Sequence, residues 1–222
     1  MGSDAKRQKR LAKQKKKRQE KKSEIARRIS FSRGDFRTAA DADRSPFFEC
    51  LVSANIFDSG LGSVFFSRRI SPVTLELSVF LVDAWCLGVK NAFSRRVSHG
   101  EYQEVVGTSK RSENLEEQSP EHARKLVEGA VECADSLGFR PDPDYAQARL
   151  IFGTVDSGQC NQEFIFGYDG RPHFVAGPYE TRQKCERIVR QLTESCGQGN
   201  FDLTLPMDPG FTKALENSQL ML

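Results

Sequence analysis

Leu75, Leu77, Val79 and Leu81 alternate with Thr74, Glu76, Ser78 and Phe80, the period of two that puts one set of side chains on one face of a strand. With "SVFFSRRIS" ahead of it and a turn at Ser71 and Pro72, the stretch 63–83 predicts a β-hairpin with one buried face. The period changes over 119–139, "SPEHARKLVEGAVECADSLGF". There Ala123, Leu126, Val127, Ala130, Val131, Ala134 and Leu137 recur at helical spacing between a capping Ser119 with Pro120 and a terminating Gly138. "TRQKCERIVRQLTESCG" repeats the helical period with Cys185, Ile188, Val189, Leu192 and Cys196, and "FDLTL" after it reads as a strand.

Other stretches carry weaker patterns. In "SPFFECLVSA", Ser45 as N-cap and Pro46 at the first helical position predict a short helix over 46–54. The polar stretch 98–119 predicts at most one short strand at 101–106, followed by a mobile acidic loop. Asp142 and Pro143 open a second, shorter helix in "DPDYAQARLIF", and "EFIFGYDGRPHFVAG" predicts a second hairpin turning at Asp169 and Gly170. Two β-hairpins with packed amphipathic helices define an α+β class rather than a doubly wound sheet. The expected organisation is a basic tail at 1–28, a linker at 29–44, a single α+β domain at 45–205 and a frayed segment at 206–222.

Composition narrows the class further. Of 222 residues 38% are hydrophobic, enough for a packed core, yet the longest apolar stretch, 77–89, is interrupted by Ser78 and Asp83. A membrane-spanning helix needs roughly 20 apolar residues, so no span is expected. The basic start is not followed by an apolar segment of the secretory kind. Cys50, Cys86, Cys133, Cys160, Cys185 and Cys196 form no CxxC pair and no zinc-ligand spacing with His99, His122 or His173. They are expected as small buried hydrophobes in a reducing, cytoplasmic setting, with no cofactor.

Charge divides the chain. Residues 1–28 hold 13 basic side chains against 3 acidic ones, a net +10, while the remaining 20 basic and 27 acidic residues leave the body at −7. Lys6, Arg7, Lys9, Arg10, Lys13, Lys15, Lys16, Lys17, Arg18, Lys21 and Lys22 stand in a stretch whose one sizeable apolar side chain is Leu11. Such a segment has no face to bury, is expected to be disordered when free, and carries the electrostatic footprint of a polyanion binder. RNA is the expected partner ahead of DNA, with an anionic membrane surface or an acidic protein as alternatives; the absence of aromatic residues in 1–28 points to phosphate contacts rather than stacked bases. The body's own surface is expected to meet an unidentified protein partner.

Candidate chemistry lies in "FLVDAWCLGVKNAF", which sets Asp83, Cys86 and Lys90 within an apolar run. If a helix or turn starts at Asp83, that residue caps it, and Cys86 falls where a helix N-terminus lowers a thiol pKa and favours a nucleophile. The competing expectation is capping and packing alone. Asp142, Asp144, Asp156 and Asp169 could gather round a hard cation, yet each suits a turn or the first turn of a helix. "GLG" at 60–62 stands in the wrong order for a phosphate-binding fingerprint, which requires a strand before the glycines and a helix after them.

The blocks "FLVDAWCLGVKNAF", "HARKLVEGAVECADSLGFRPDPDYAQAR" and "EFIFGYDGRPHFVAGP", covering roughly 48–190, resemble a family of uncharacterised bacterial proteins that often begin with a lysine-rich segment. The resemblance implies a bacterial cytosolic protein and brings no activity to any residue.

Overall fold

Every strand of the central sheet is antiparallel to its neighbour in the computed structural model, which describes residues 36–177 and 180–205. The sheet runs in the order β4-β3-β2-β1-β5. Its strands are β1 (Phe47–Ser53), β2 (Leu61–Ser71), β3 (Thr74–Asp83), β4 (Gly88–Ser98) and β5 (Leu115–Glu117). The helices are α1 (Ala39–Asp43), α2 (Ile56–Ser59), α3 (His99–Lys110), α4 (Pro120–Ser136), α5 (Tyr145–Ala148) and α6 (Arg182–Cys196), with 3-10 turns at Arg149–Phe152 and Ser157–Gln159. Two short strands, β6 (His173–Val175) and β7 (Asp202–Thr204), pair in parallel away from the main sheet. The class is α+β, and no helix among the described residues is long and apolar enough to cross a membrane.

The expected hairpin at 63–83 is β2–β3, but both its faces are buried. Leu75, Leu77 and Val79 join Leu51, Phe65 and Val97 under α3, which contributes Tyr102 and Val106. Phe80 and Val82 join Cys50, Val52, Val64 and Phe66 under α4 and α5, which contribute Ala123, Leu126, Val127, Ala130, Tyr145 and Ala148. Polar side chains on this second face bond internally: Ser78 Oγ lies 3.1 Å from Ala148 O, and Ser94 donates to Glu76 Oε1 at 3.0 Å. A third cluster packs α6 through Cys185, Ile188, Val189 and Leu192 against Cys86, Leu87, Leu137, Phe174 and Phe201.

Several expectations are corrected. The stretch 46–54 is strand β1, not a helix; its Phe, Cys, Leu and Val favour a pleated, doubly buried position, and pairing with β2 and β5 outweighs the Ser45–Pro46 start signal. The stretch 98–110 is helix α3, not a loop with a strand at 101–106, because Ser98 and Glu101 form a reciprocal capping box. The acidic stretch after α3 is pinned, with Glu113 accepting from Ser63 Oγ at 2.9 Å and from Ser53 Oγ. No second hairpin forms at 163–177. Only Tyr168 and Arg171 bridge around Asp169 and Gly170, the Gly167 and His173 N–H groups donate to Ala84 O and Trp85 O, and β6 takes β7 as its partner.

The described part of the expected linker, 36–44, packs on the body. Phe36 is buried, its carbonyl accepts from Gln147 Nε2 at 2.6 Å, and Thr38 caps α1. The buried Arg68 guanidinium joins this segment to the sheet, donating to Ala42 O and Ser45 O at 3.1 and 2.9 Å and to Ile151 O and Phe152 O at 2.6 and 2.9 Å. Residues 1–28 and 206–222 lie outside the described residues.

Candidate functional site

Asp83 ends β3 and begins the turn that returns the chain into β4. One carboxylate oxygen, Oδ1, accepts the backbone N–H groups of Trp85, Cys86 and Leu87 at 3.2, 2.9 and 3.3 Å. The chain then reverses through Gly88 at φ +67°, where a Cβ would lie 2.7 Å from Ala134 Cβ and 2.9 Å from Ala130 O. Asp83 therefore caps a hairpin turn and not a helix, and α4 crosses directly over that turn. Trp85, inside it, donates Nε1–H to Phe57 O at 2.7 Å and stacks on His173 with ring centroids 5.1 Å apart.

Cys86 points into the cluster beneath α6 and is 2% exposed. Burial pushes its thiol pKa well above the ordinary range, and the nearby Asp83 carboxylate adds to the rise. A nucleophilic thiolate needs the reverse, a partly exposed electropositive setting. The histidines are engaged elsewhere: His173 Nε2 lies 2.8 Å from Thr204 Oγ1, and His122 packs edge-on against Phe164. Cys86 is thus a packing residue, and Asp83 the cap that organises the turn around it.

Lys90 is the member of the trio that faces a cavity. Its Nζ lies 3.9 Å from Asp83 Oδ2 and 3.2 Å from Glu180 Oε1. Glu180 Oε1 also accepts Lys184 Nζ at 3.2 Å, and Oε2 accepts the Gly177 N–H at 3.0 Å. Burial raises the Asp83 pKa by more than Lys90 and the three N–H donors lower it. At Glu180 burial also pulls upward, but the Gly177 N–H and the two ammonium groups outweigh it and the carboxyl ends below its ordinary range. A cavity of about 290 Å³ opens beside this network, lined by Lys90, Arg140, Lys184, Phe139, Pro143 and Ile188 among others. Glu180, Lys184 and Arg140 were not anticipated as neighbours of Lys90, because no sequence spacing links β4 to the start of α6.

The four aspartates do not converge. Asp142 Oδ1 accepts the Asp144 N–H at 2.9 Å, Asp156 Oδ1 accepts the Gly158 N–H at 2.9 Å, and Asp169 sits at φ 51° in its turn. Among the described residues no group of three or more His, Cys, Asp or Glu side chains is arranged to hold a metal ion. The basic residues from Lys6 to Lys22 fall outside the described residues.

No family model, no curated protein and no solved structure matches this chain.

Proposed function

We propose that the protein binds nucleic acid, RNA ahead of DNA, through the basic segment 1–28, with the α+β body carried on that segment. The observation that supports this reading is the charge division: 13 basic against 3 acidic side chains in 1–28, beside a remainder of 20 basic and 27 acidic. A polycation of this density neutralises phosphates whatever their sequence, and its affinity comes from released counterions. The body has no comparable excess of cations, and several of those near its surface are matched to carboxylates, as Arg124 and Arg149 are to Glu128. The body holds its own chain from Phe36, which is buried and whose carbonyl accepts from Gln147 Nε2.

Purification of the full chain from its native cells, with and without nuclease, tests this reading. Nuclease-sensitive nucleic acid is expected to copurify with the unmodified chain and to be clearly reduced when Lys15, Lys16, Lys17 and Arg18 are all changed to glutamine. Equal nucleic-acid content in both proteins would overturn it.

A further inference from the structure

The geometry points to a binding site for a small organic anion, a carboxylate or phosphate monoester with an apolar body, in the cavity between the start of β4, the 139–143 loop and the first turn of α6. This site is independent of the basic segment. The cavity holds about 290 Å³, near the lower end of the range for small-molecule pockets, roughly 300–1,000 Å³.

Its walls are mainly apolar and cationic. Leu87, Val89, Phe139 and Ile188 supply apolar surface, Lys90, Arg140 and Lys184 supply cationic ends, and among the described residues Asp142 is the one carboxylate in the lining. Carboxylate recognition is already built in, because Lys90 Nζ and Lys184 Nζ both lie 3.2 Å from a single oxygen of the chain's own Glu180. The nearby carboxylates each hold backbone donors through one oxygen: Asp83 Oδ1 accepts three N–H groups while Oδ2 lies 3.9 Å from Lys90 Nζ, and Asp142 Oδ1 accepts the N–H of Asp144. Arg140 reaches from the rim with its side chain 86% exposed, and its ion pair to Asp135, at 3.1 Å, is with a side chain that is itself half exposed. An exposed pair of that kind is worth little, so the guanidinium is free to turn onto a ligand. An anionic head would meet Lys184 and Arg140 at the mouth and Lys90 deeper in, competing with Glu180, while its apolar body lies on Phe139 and Ile188.

The test titrates the full chain with phenyl phosphate, benzoate, inorganic phosphate and neutral benzyl alcohol, following backbone amide shifts. Saturable shifts at Leu87, Lys90, Phe139, Arg140 and Lys184 are expected with both aromatic anions, weaker ones with inorganic phosphate and none with benzyl alcohol. The ratio of the two aromatic affinities distinguishes a carboxylate ligand from a phosphate one. Lys184→Gln and Arg140→Gln, both at exposed positions, should each weaken binding about tenfold, equivalent to about 1.4 kcal/mol, and Glu180→Gln should tighten it by removing the internal competitor. Shifts confined to residues 6–22, equal response to benzyl alcohol, or unchanged affinity in both glutamine variants at unchanged melting temperature would each overturn the proposal.

Discussion

Asp83 and Cys86 are joined through the backbone: the aspartate carboxylate accepts the cysteine N–H at 2.9 Å while the thiol turns away into the core. The residues whose spacing most resembled a catalytic pair therefore act as a cap and a packing group. Native protein exposed to iodoacetamide near neutral pH should leave Cys86 unmodified, while the half-exposed Cys133, Cys160 and Cys196 label first; peptide mass spectrometry reads the order. Rapid alkylation of Cys86 in the folded state would contradict the packing role.

Asp83 itself should respond to substitution in a graded way. Asp83→Ala leaves three N–H groups of a buried turn without their acceptor, a loss of about 1–3 kcal/mol. Asp83→Asn keeps an acceptor oxygen and should cost much less. The pH dependence separates the two further. Because the folded carboxyl is raised by burial, its contribution to stability is fully present below the unfolded value, about pH 4, and is lost as pH rises through the folded one. The stability difference between unmodified protein and Asp83→Asn should therefore move against the unmodified protein as pH rises from about 4, then level off. Denaturant melts of both proteins at several pH values measure it, and a difference flat across that range would refute the assignment.

The reversal after this turn depends on a glycine for two reasons at once. At Gly88 a side chain meets a left-handed backbone and a helix already in contact, with Ala134 Cβ 2.7 Å and Ala130 O 2.9 Å from the added carbon. Gly88→Ala should destabilise by about 2–4 kcal/mol. Gly107, inside α3 with nothing within 4 Å of an added Cβ, is the internal comparison. Gly107→Ala should stabilise, by up to about 1 kcal/mol. Thermal melts of the two variants should shift in opposite directions.

How much of this was legible follows from how each element is held. Helix α4 has Ser119, Pro120 and a single apolar face, so its pattern carries its structure; β3 alternates, though Phe80 and the buried Glu76 and Ser78 belong to a second core face that a period of two does not reveal. Strand β1 is buried over Cys50, Leu51, Val52 and Ser53, so no alternation survives to distinguish it from a helix. Helix α3 has a weak apolar face, Tyr102 and Val106, and its one clear signal was the Ser98–Glu101 capping box. The failed second hairpin is a matter of distant partners: residues 167 and 173 give their N–H groups to the Asp83 turn. The cavity beside Lys90 was illegible for the same reason, since Glu180 and Lys184 reach it only through the packing of α6.

Arg68 shows the cost of such distant ties. It is 5% exposed, and its guanidinium is the common donor to carbonyls at 42, 45, 151 and 152. Arg68→Met fills much of the volume but takes the guanidinium donor from Ser45 O and Ile151 O in a buried site, while Ala42 O and Phe152 O keep the N–H groups of Ser45 and Val155, and should destabilise by about 2–5 kcal/mol. Amide exchange should quicken first at α1 and at the 3-10 turn Arg149–Phe152, both of which Arg68 holds to the sheet. Uniform exchange across the whole sheet, with no local excess there, would argue against this account.

The basic segment makes the most quantitative prediction. Each lysine or arginine that neutralises a phosphate releases a condensed counterion, so log affinity for a single-stranded RNA should fall linearly with log salt at about −0.7 per phosphate neutralised. Neutralising about six phosphates would give a slope of about −4. Changing Lys15, Lys16, Lys17 and Arg18 to glutamine should flatten the slope by about 0.7 for each phosphate no longer neutralised and weaken all sequences alike, because a cation on a phosphate carries no base information. DNA of equal length measured alongside shows whether RNA is preferred. Fluorescence anisotropy over a salt series supplies both numbers. An affinity indifferent to salt, or a strong sequence preference that survives the four substitutions, would place recognition on the acidic body and remove the reason for assigning it to residues 1–28.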